Sequence, residues 1–390
     1  MGMAVLTLSD RSKRVPLADE CAATRLRLIF RTSQLFFTVV LCTNSSLAQQ
    51  AATVPTLKLK VRDSIPVPSL FATPIMFPAR CDREGNVYVR FYQYPAPLAA
   101  PFVRISKDGA VTATYTLPSG PDYKTSQSSE FALGPRGEFF LIATSPGPQG
   151  ERKVKVDILS FDKDGKYKDK IELGLRALIP VKILPLTDGN FFITGRLLIS
   201  GEGSADNFEP FTAIVDHTGS VIRNLRLQND VKFNPKKISG QSGKSDESDV
   251  QGSGSVPLSE VSLGEAVLGD DGNIYLMRRT LNPSVYVITS SGELVRRFEV
   301  KRTSDSAEAL DMKWGAGGKL VFLFRNPSSS ANSSQLMTYS IVDAETGDTQ
   351  MNYEATAEVG VAMACYGPDG FTIVGSTDDG HLAIKRAVPY

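Results

Sequence analysis

Asp270-Asp271-Gly272-Asn273-Ile274-Tyr275-Leu276 is a tight acidic glycine turn that opens straight into an alternating apolar strand. The same pattern stands at Asp82-Arg83-Glu84-Gly85-Asn86-Val87-Tyr88-Val89 and at Thr187-Asp188-Gly189-Asn190-Phe191-Phe192-Ile193. Looser copies begin at Gly134, Gly315 and Gly367. The turn glycines therefore fall at 85, 137, 189, 272, 318 and 370, in steps of 52, 52, 83, 46 and 52 residues. The long step contains a Gly/Ser/Lys/Asp-rich stretch over residues 229–260, and removing those 32 residues from 83 leaves 51. A period near 50 made of short strands and glycine turns is the mark of a β-propeller. No sustained 3.6-residue apolar period follows Thr53, which argues against stacked helix pairs.

Each repeat reads as four strands. One precedes the glycine turn and one follows it. A third runs into a second hairpin turn, at Lys107-Asp108-Gly109, Lys163-Asp164-Gly165, His217-Thr218-Gly219, Ser291-Gly292 or Thr346-Gly347. The fourth is an outer strand with polar alternation, such as Leu294-Val295-Arg296-Arg297-Phe298, as a half-exposed edge requires. The sixth repeat runs out after its third strand, His381 to Ala387, whereas Thr56-Leu57-Lys58-Leu59-Lys60-Val61 is a spare outer-type strand at the other end. The expectation is an all-β, six-bladed propeller of four-stranded antiparallel blades, its last blade completed by the N-terminal strand.

The first residues read as export signals. Arg25, Arg27 and Arg31 precede the apolar run Leu35–Cys42, and Ser46-Leu47-Ala48 fits a small-x-small cleavage site before Gln49. Residues 1–48 are thus expected to be an upstream segment plus a secretory signal peptide, and 49–390 a single propeller domain. Residues 229–260 would be a flexible insertion between blades three and four. The run is too short to span a bilayer. A net charge of +1 offers no bulk field for nucleic acid. Walker, zinc and dinucleotide motifs are absent from the sequence. After cleavage only Cys81 and Cys365 remain, on inner strands of the first and last blades. Ring closure makes them neighbours, so a disulfide and a pair of buried thiols are both open.

The Asp-x-x-Gly-Asn start at Gly85 and the Asp-Gly-Asn start at Gly272, with glycine hairpins one strand pair later, resemble six-bladed propellers of the NHL and TolB-like superfamily. The resemblance covers residues 55–390 and implies the fold. The superfamily includes scaffolds, ligand-binding modules, lactonases and lyases. Its metal-dependent lactonases use carboxylate and Asn ligands at the central channel.

Two residue sets are candidates for a site. Seven residues before each turn glycine stand Pro78, Glu130, Lys182, Glu265, Asp311 and Met363, four of them charged within otherwise apolar segments. Ionised groups on an inner strand need pairing, water or metal. Glu130, Glu265 and Asp311 could hold a hard cation such as Ca²⁺, or place an acid and a base beside Lys182. A hydrated mouth of structural ion pairs is the alternative. On the same face Arg90, Arg196, Arg278 with Arg279, and Arg325 follow the second strands, with Tyr92 and Tyr94 nearby. Such a ring suits a saccharide, a peptide or a small anionic ligand. Solvated strand ends are the other reading. His217, His381, Trp314 and the Asp162–Gly165 turn read as turn or packing residues. Two function classes stand: an exported binding or interaction module, and a metal-assisted, lactonase-like hydrolase or lyase built on the channel carboxylates.

Overall fold

Alternating apolar residues between glycine turns build strands that pair in sequence order. In the computed structural model the described residues are 54–390, apart from 72–77, 91–99, 124–125, 147–153, 176–177, 200–206, 226–264, 280–281, 327–335, 357 and 361. The expected leader over residues 1–48 and the expected insertion over 229–260 lie outside them.

The first quartet joins β2 (Ala79–Cys81), β3 (Val87–Arg90), β4 (Phe102–Ile105) and β5 (Val111–Tyr115) in that order. The second joins β6 (Gln127–Leu133), β7 (Phe139–Pro146), β8 (Val154–Phe161) and β9 (Tyr167–Leu173). The third comprises β10 (Leu178–Pro185), β11 (Phe191–Ile199), β12 (Asn207–Val215) and β13 (Val221–Asn224). The fourth comprises β14 (Ala266–Leu268), β15 (Ile274–Arg278), β16 (Ser284–Ile288) and β17 (Leu294–Glu299). All four are antiparallel meanders.

The remaining strands form one eight-stranded sheet. Its first half is β18 (Glu308–Gly315), β19 (Lys319–Asn326), β20 (Leu336–Asp343) and β21 (Thr349–Ala355). Its other half is β22 (Ala362–Gly367), β23 (Gly370–Ser376) and β24 (His381–Pro389). Between the halves lies β1 (Thr56–Phe71), the N-terminal strand. Among the described residues the fold is therefore all-β and propeller-like, with four separate four-stranded sheets and one double sheet.

The closing strand is longer than the sequence reading drew it. Only Leu59 onward pairs antiparallel with β24, from Leu59 opposite Pro389 to Phe71 opposite His381. Thr56, Leu57 and Lys58 instead pair parallel with Asn352, Tyr353 and Glu354 of β21. That contact welds two quartets into one sheet. The physical reason is the exposed edge of β21, whose free backbone groups the start of β1 satisfies.

Apolar residues fill the seams between successive quartets. Between the first and second, Tyr88, Phe102 and Tyr115 meet Phe131, Phe139 and Leu141, with Tyr115 and Phe139 stacked at 3.8 Å between ring centroids. Between the third and fourth, Leu184, Phe192 and Ile214 meet Ile274, Leu276 and Tyr286. Between the β22–β24 half and the first quartet, Val67, Val374, Leu382 and Ile384 meet Ala79, Val87, Val89 and Val103. Each such side chain, fully buried, stabilises the fold by about 1.5–3 kcal/mol. The same seam carries the covalent link between Cys81 and Cys365, with Cα atoms 5.6 Å apart.

The second hairpin turns lock into the preceding quartet. Gly219 has φ +84°, and a Cβ there would lie 2.1 Å from the Glu172 carbonyl oxygen on β9. Gly165 meets the Thr114 carbonyl of β5 in the same way, at 2.4 Å. Both conformation and clearance demand glycine at these turns.

Candidate functional site

A recurrent irregularity positions the charged column. The pairing of innermost strands shifts by one residue between Ser128 and Glu130, between Pro180 and Lys182, and between Ala309 and Asp311. Such bulges re-aim the side chain that follows them. Glu265 sits just before β14, held by the bond that the Met277 amide donates to its carbonyl, at 2.7 Å.

The structure brings these side chains together as alternating charges. Arg80 pairs with Glu130. Lys182 Nζ lies 3.2 Å from Glu130 Oε1 and also pairs with Glu265. Lys313 Nζ lies 3.0 Å from Asp311 Oδ2. Asp311 Oδ1 in turn accepts the Met312 amide at 2.8 Å. Lys182 is only 2% exposed, and Glu130, Asp311 and Lys313 are each below 9%. Burial alone would raise the Glu265 pKa. The fields of Lys182, Lys313 and Arg80 outweigh it and hold this carboxyl at about 2, against an ordinary value of 4.5. Three cations and three anions balance. The inner strand β22 contributes the buried, apolar Met363 at this level, so the charges form an arc from Arg80 to Asp311.

That geometry bears on the expected cation site. Ca²⁺ takes six to eight oxygen ligands. Here the Lys182 ammonium stands between Glu130 and Glu265, and Asp311 is engaged by Lys313. Among the described residues no three His, Cys, Asp or Glu side chains gather as a metal cluster. Glu130, Glu265 and Asp311 thus do not form the shared Ca²⁺ cage the sequence suggested, because the lysines divide them. Arg80 and Lys313 were missed by the sequence reading. Both stand five residues before a turn glycine, 85 and 318, two along from the charged column and so on the same strand face.

The arginines separate into different roles. Arg90 donates to the Ser128 carbonyl of the next quartet, and its guanidinium lies 5.4 Å from the centroid of the Phe102 ring. Arg279 donates to the Leu310 carbonyl, again in the next quartet and again at a bulge. Both are staples across a seam. Arg325 pairs with Glu308 on the adjacent strand. Arg196 is half-buried within β11, opposite Ile179 and Pro210 on the neighbouring strands. Arg278 alone of the set is fully buried, at 4% exposure. Tyr92 and Tyr94 lie outside the described residues.

The weaker sequence candidates are structural. His217 is exposed, and Trp314 donates to Asp270 at 3.0 Å while packing on Tyr275. Asp162 caps its own turn by accepting the Asp164 and Lys166 amides at 3.0 and 2.9 Å. At the turn end of the inner strands, a cleft of 220 Å³ lies between Phe140 and Phe191, with Arg136, Glu138, Thr187 and Asn190 around it.

No family model and no curated protein matches this chain. Solved structures do. A protein of unknown function from Dyadobacter fermentans is similar at 10% identity, over 85% of this chain and 99% of that one, with a TM-score of 0.52. A candidate gluconolactonase matches at 12% identity over 85% and 93%, with a TM-score of 0.43. A candidate glucose dehydrogenase-type oxidoreductase from Thermus thermophilus matches at 12% over 85% and 100%, with a TM-score of 0.44. At such identities a likeness concerns the fold alone, and the Dyadobacter protein is the one among these three near enough to carry it.

Proposed function

We propose that this chain is an exported six-bladed β-propeller of NHL/TolB-like type that works as a binding or interaction module rather than as a hydrolase. The blade count is supported by reading the double sheet as two blades joined through β1, and by apolar clusters at each successive seam. Export is supported by the leader-like residues 25–48 and by the Cys81–Cys365 link, since disulfides persist in oxidising compartments. N-terminal sequencing of the secreted or periplasmic chain should begin at Gln49.

One observation carries the functional reading: the inner-strand charges are engaged with one another. A general acid and base need pKa values pushed apart toward neutrality. Glu265 is instead held at about 2 by its cations. The network holds the face rigid, and recognition falls to groups around it. A saccharide, a peptide or a small acid is the partner class. The experiment is calorimetric titration with Ca²⁺ alongside a lactone-hydrolysis assay. The expected result is no stoichiometric Ca²⁺ binding and no Ca²⁺-dependent turnover. Turnover that Glu265→Gln abolishes would establish the metal-assisted hydrolase or lyase instead.

A further inference from the structure

Arg278 stands apart from every other described cation. It is 4% exposed, and both its Nε and its Nη2 lack a hydrogen-bond partner. It is the one described side chain with two such buried polar atoms. Its contact to protein is long, 3.5 Å from Nη1 to the Tyr286 hydroxyl. Leaving a buried guanidinium without an anion is costly, and natural folds avoid it by pairing or by ligand.

Its surroundings are polar where the other seam positions are apolar. Strand alternation puts Arg278 on the face of Leu276, which packs in the seam between the third and fourth quartets. Thr194 and Thr212 extend the faces of Phe192 and Ile214 toward the same end, and Ser284 that of Tyr286. These three hydroxyl residues are buried, at 1%, 7% and 0% exposure. Arg297 lies over the Tyr286 ring, 5.7 Å from its centroid, and pairs with Glu299. The seam thus offers hydroxyls and a guanidinium fork, and among the described residues no carboxylate pairs with that fork.

We infer that this seam is an oxyanion-binding site, in which Arg278 receives the carboxylate of a small ligand through its two unpaired N–H edges. The inference rests on the binding-module reading and sharpens it to one residue and one chemistry. A planar carboxylate matches two parallel donors of a guanidinium. Deep burial limits the occupant to a small acid, or to the acidic end of a saccharide or peptide, because a polyanion could not shed its water there. The hydroxyls of Thr194, Thr212 and Ser284 set the polarity around the ligand.

The test is calorimetry and thermal unfolding of the mature chain with malonate, sulfate or chloride at constant ionic strength. The same measurements are made on Arg278→Met and Arg278→Lys. Malonate should bind the parent, and Arg278→Met should weaken it by at least about tenfold, the loss of one charge-assisted contact. In chloride alone Arg278→Met should unfold no earlier than the parent, since it removes an unpaired buried charge. Should Arg278→Met not fold, Arg278→Lys keeps the charge, loses the fork and should still weaken malonate. Sulfate binding in preference to malonate would keep the oxyanion site and identify an inorganic occupant. Equal malonate affinity in parent and variants overturns the inference while the binding-module reading stands. So does an anion-indifferent parent with a destabilised Arg278→Met, which would make Arg278 structural.

Discussion

At the scale of single residues the buried charges decide behaviour. Lys182 pairs with both Glu130 and Glu265, so removing it strands two carboxylates. Lys182→Met should destabilise the fold by about 3–5 kcal/mol, measured by urea unfolding, because an uncompensated buried charge costs more than a buried pair contributes. Glu265 supplies a pH signature. Its folded pKa is about 2 and its ordinary value 4.5, so ionised Glu265 favours the folded state. That stabilisation is complete above about pH 4.5 and is lost as pH falls toward 2. Unfolding free energies of the parent and of Glu265→Gln should therefore converge across that window. A difference that stays flat from pH 6 to pH 2 would show that the carboxyl is not held by its cations.

At the scale of elements the hairpin turns carry the fit between neighbouring quartets. Gly189 and Gly219 both have positive φ, but a Cβ at Gly189 would meet nothing within 4 Å, whereas at Gly219 it would collide with β9. Gly189→Ala should cost about 1–2 kcal/mol, the strain of a left-handed residue. Gly219→Ala should cost clearly more, since backbone must move as well. Equal costs by urea unfolding would mean that the turn of one quartet does not seat on the outer strand of the last. The bulges act at the same scale. They turn Glu130, Lys182 and Asp311 toward one arc, and they present the carbonyls of Ser128 and Leu310 to Arg90 and Arg279.

At the scale of the whole molecule the chain ends are what hold the assembly shut. β1 supplies Val67 and Leu70 to the seam beside the first quartet and covers the edge of β24. Deleting residues 49–71 should lower the unfolding midpoint of the entire domain in one cooperative transition. Deleting only 49–62 should also lower it, though less, because the pairing from Asp63 onward survives. The Cys81–Cys365 link closes a loop of 284 residues, and the chain-entropy model assigns such a closure about 5 kcal/mol. A chain of residues 49–390, denatured and unreduced, should titrate no free thiol, and reduction should lower its thermal midpoint.

By itself the sequence determined the strand quartets, their glycine turns and the column of Glu130, Lys182, Glu265 and Asp311. Turn chemistry and side-chain alternation are local, so they can be read from neighbours in the chain. Tertiary structure alone decided how that column is used. Whether two glutamates share a cation or flank an ammonium depends on which strands face each other across the arc. Arg80 became visible as a partner of Glu130 only once β2 and β6 stood together, whereas Lys313 reaches Asp311 two residues along the same strand. The same holds for the arginines, which form one ring on paper. Their contacts divide them into staples across the seams at Arg90 and Arg279, a surface pair within one quartet at Arg325 and one buried guanidinium, at Arg278, without an anion among the described residues. The length of β1 and its parallel contact with β21 were likewise hidden, because an unpaired strand edge exists only after the sheet has formed.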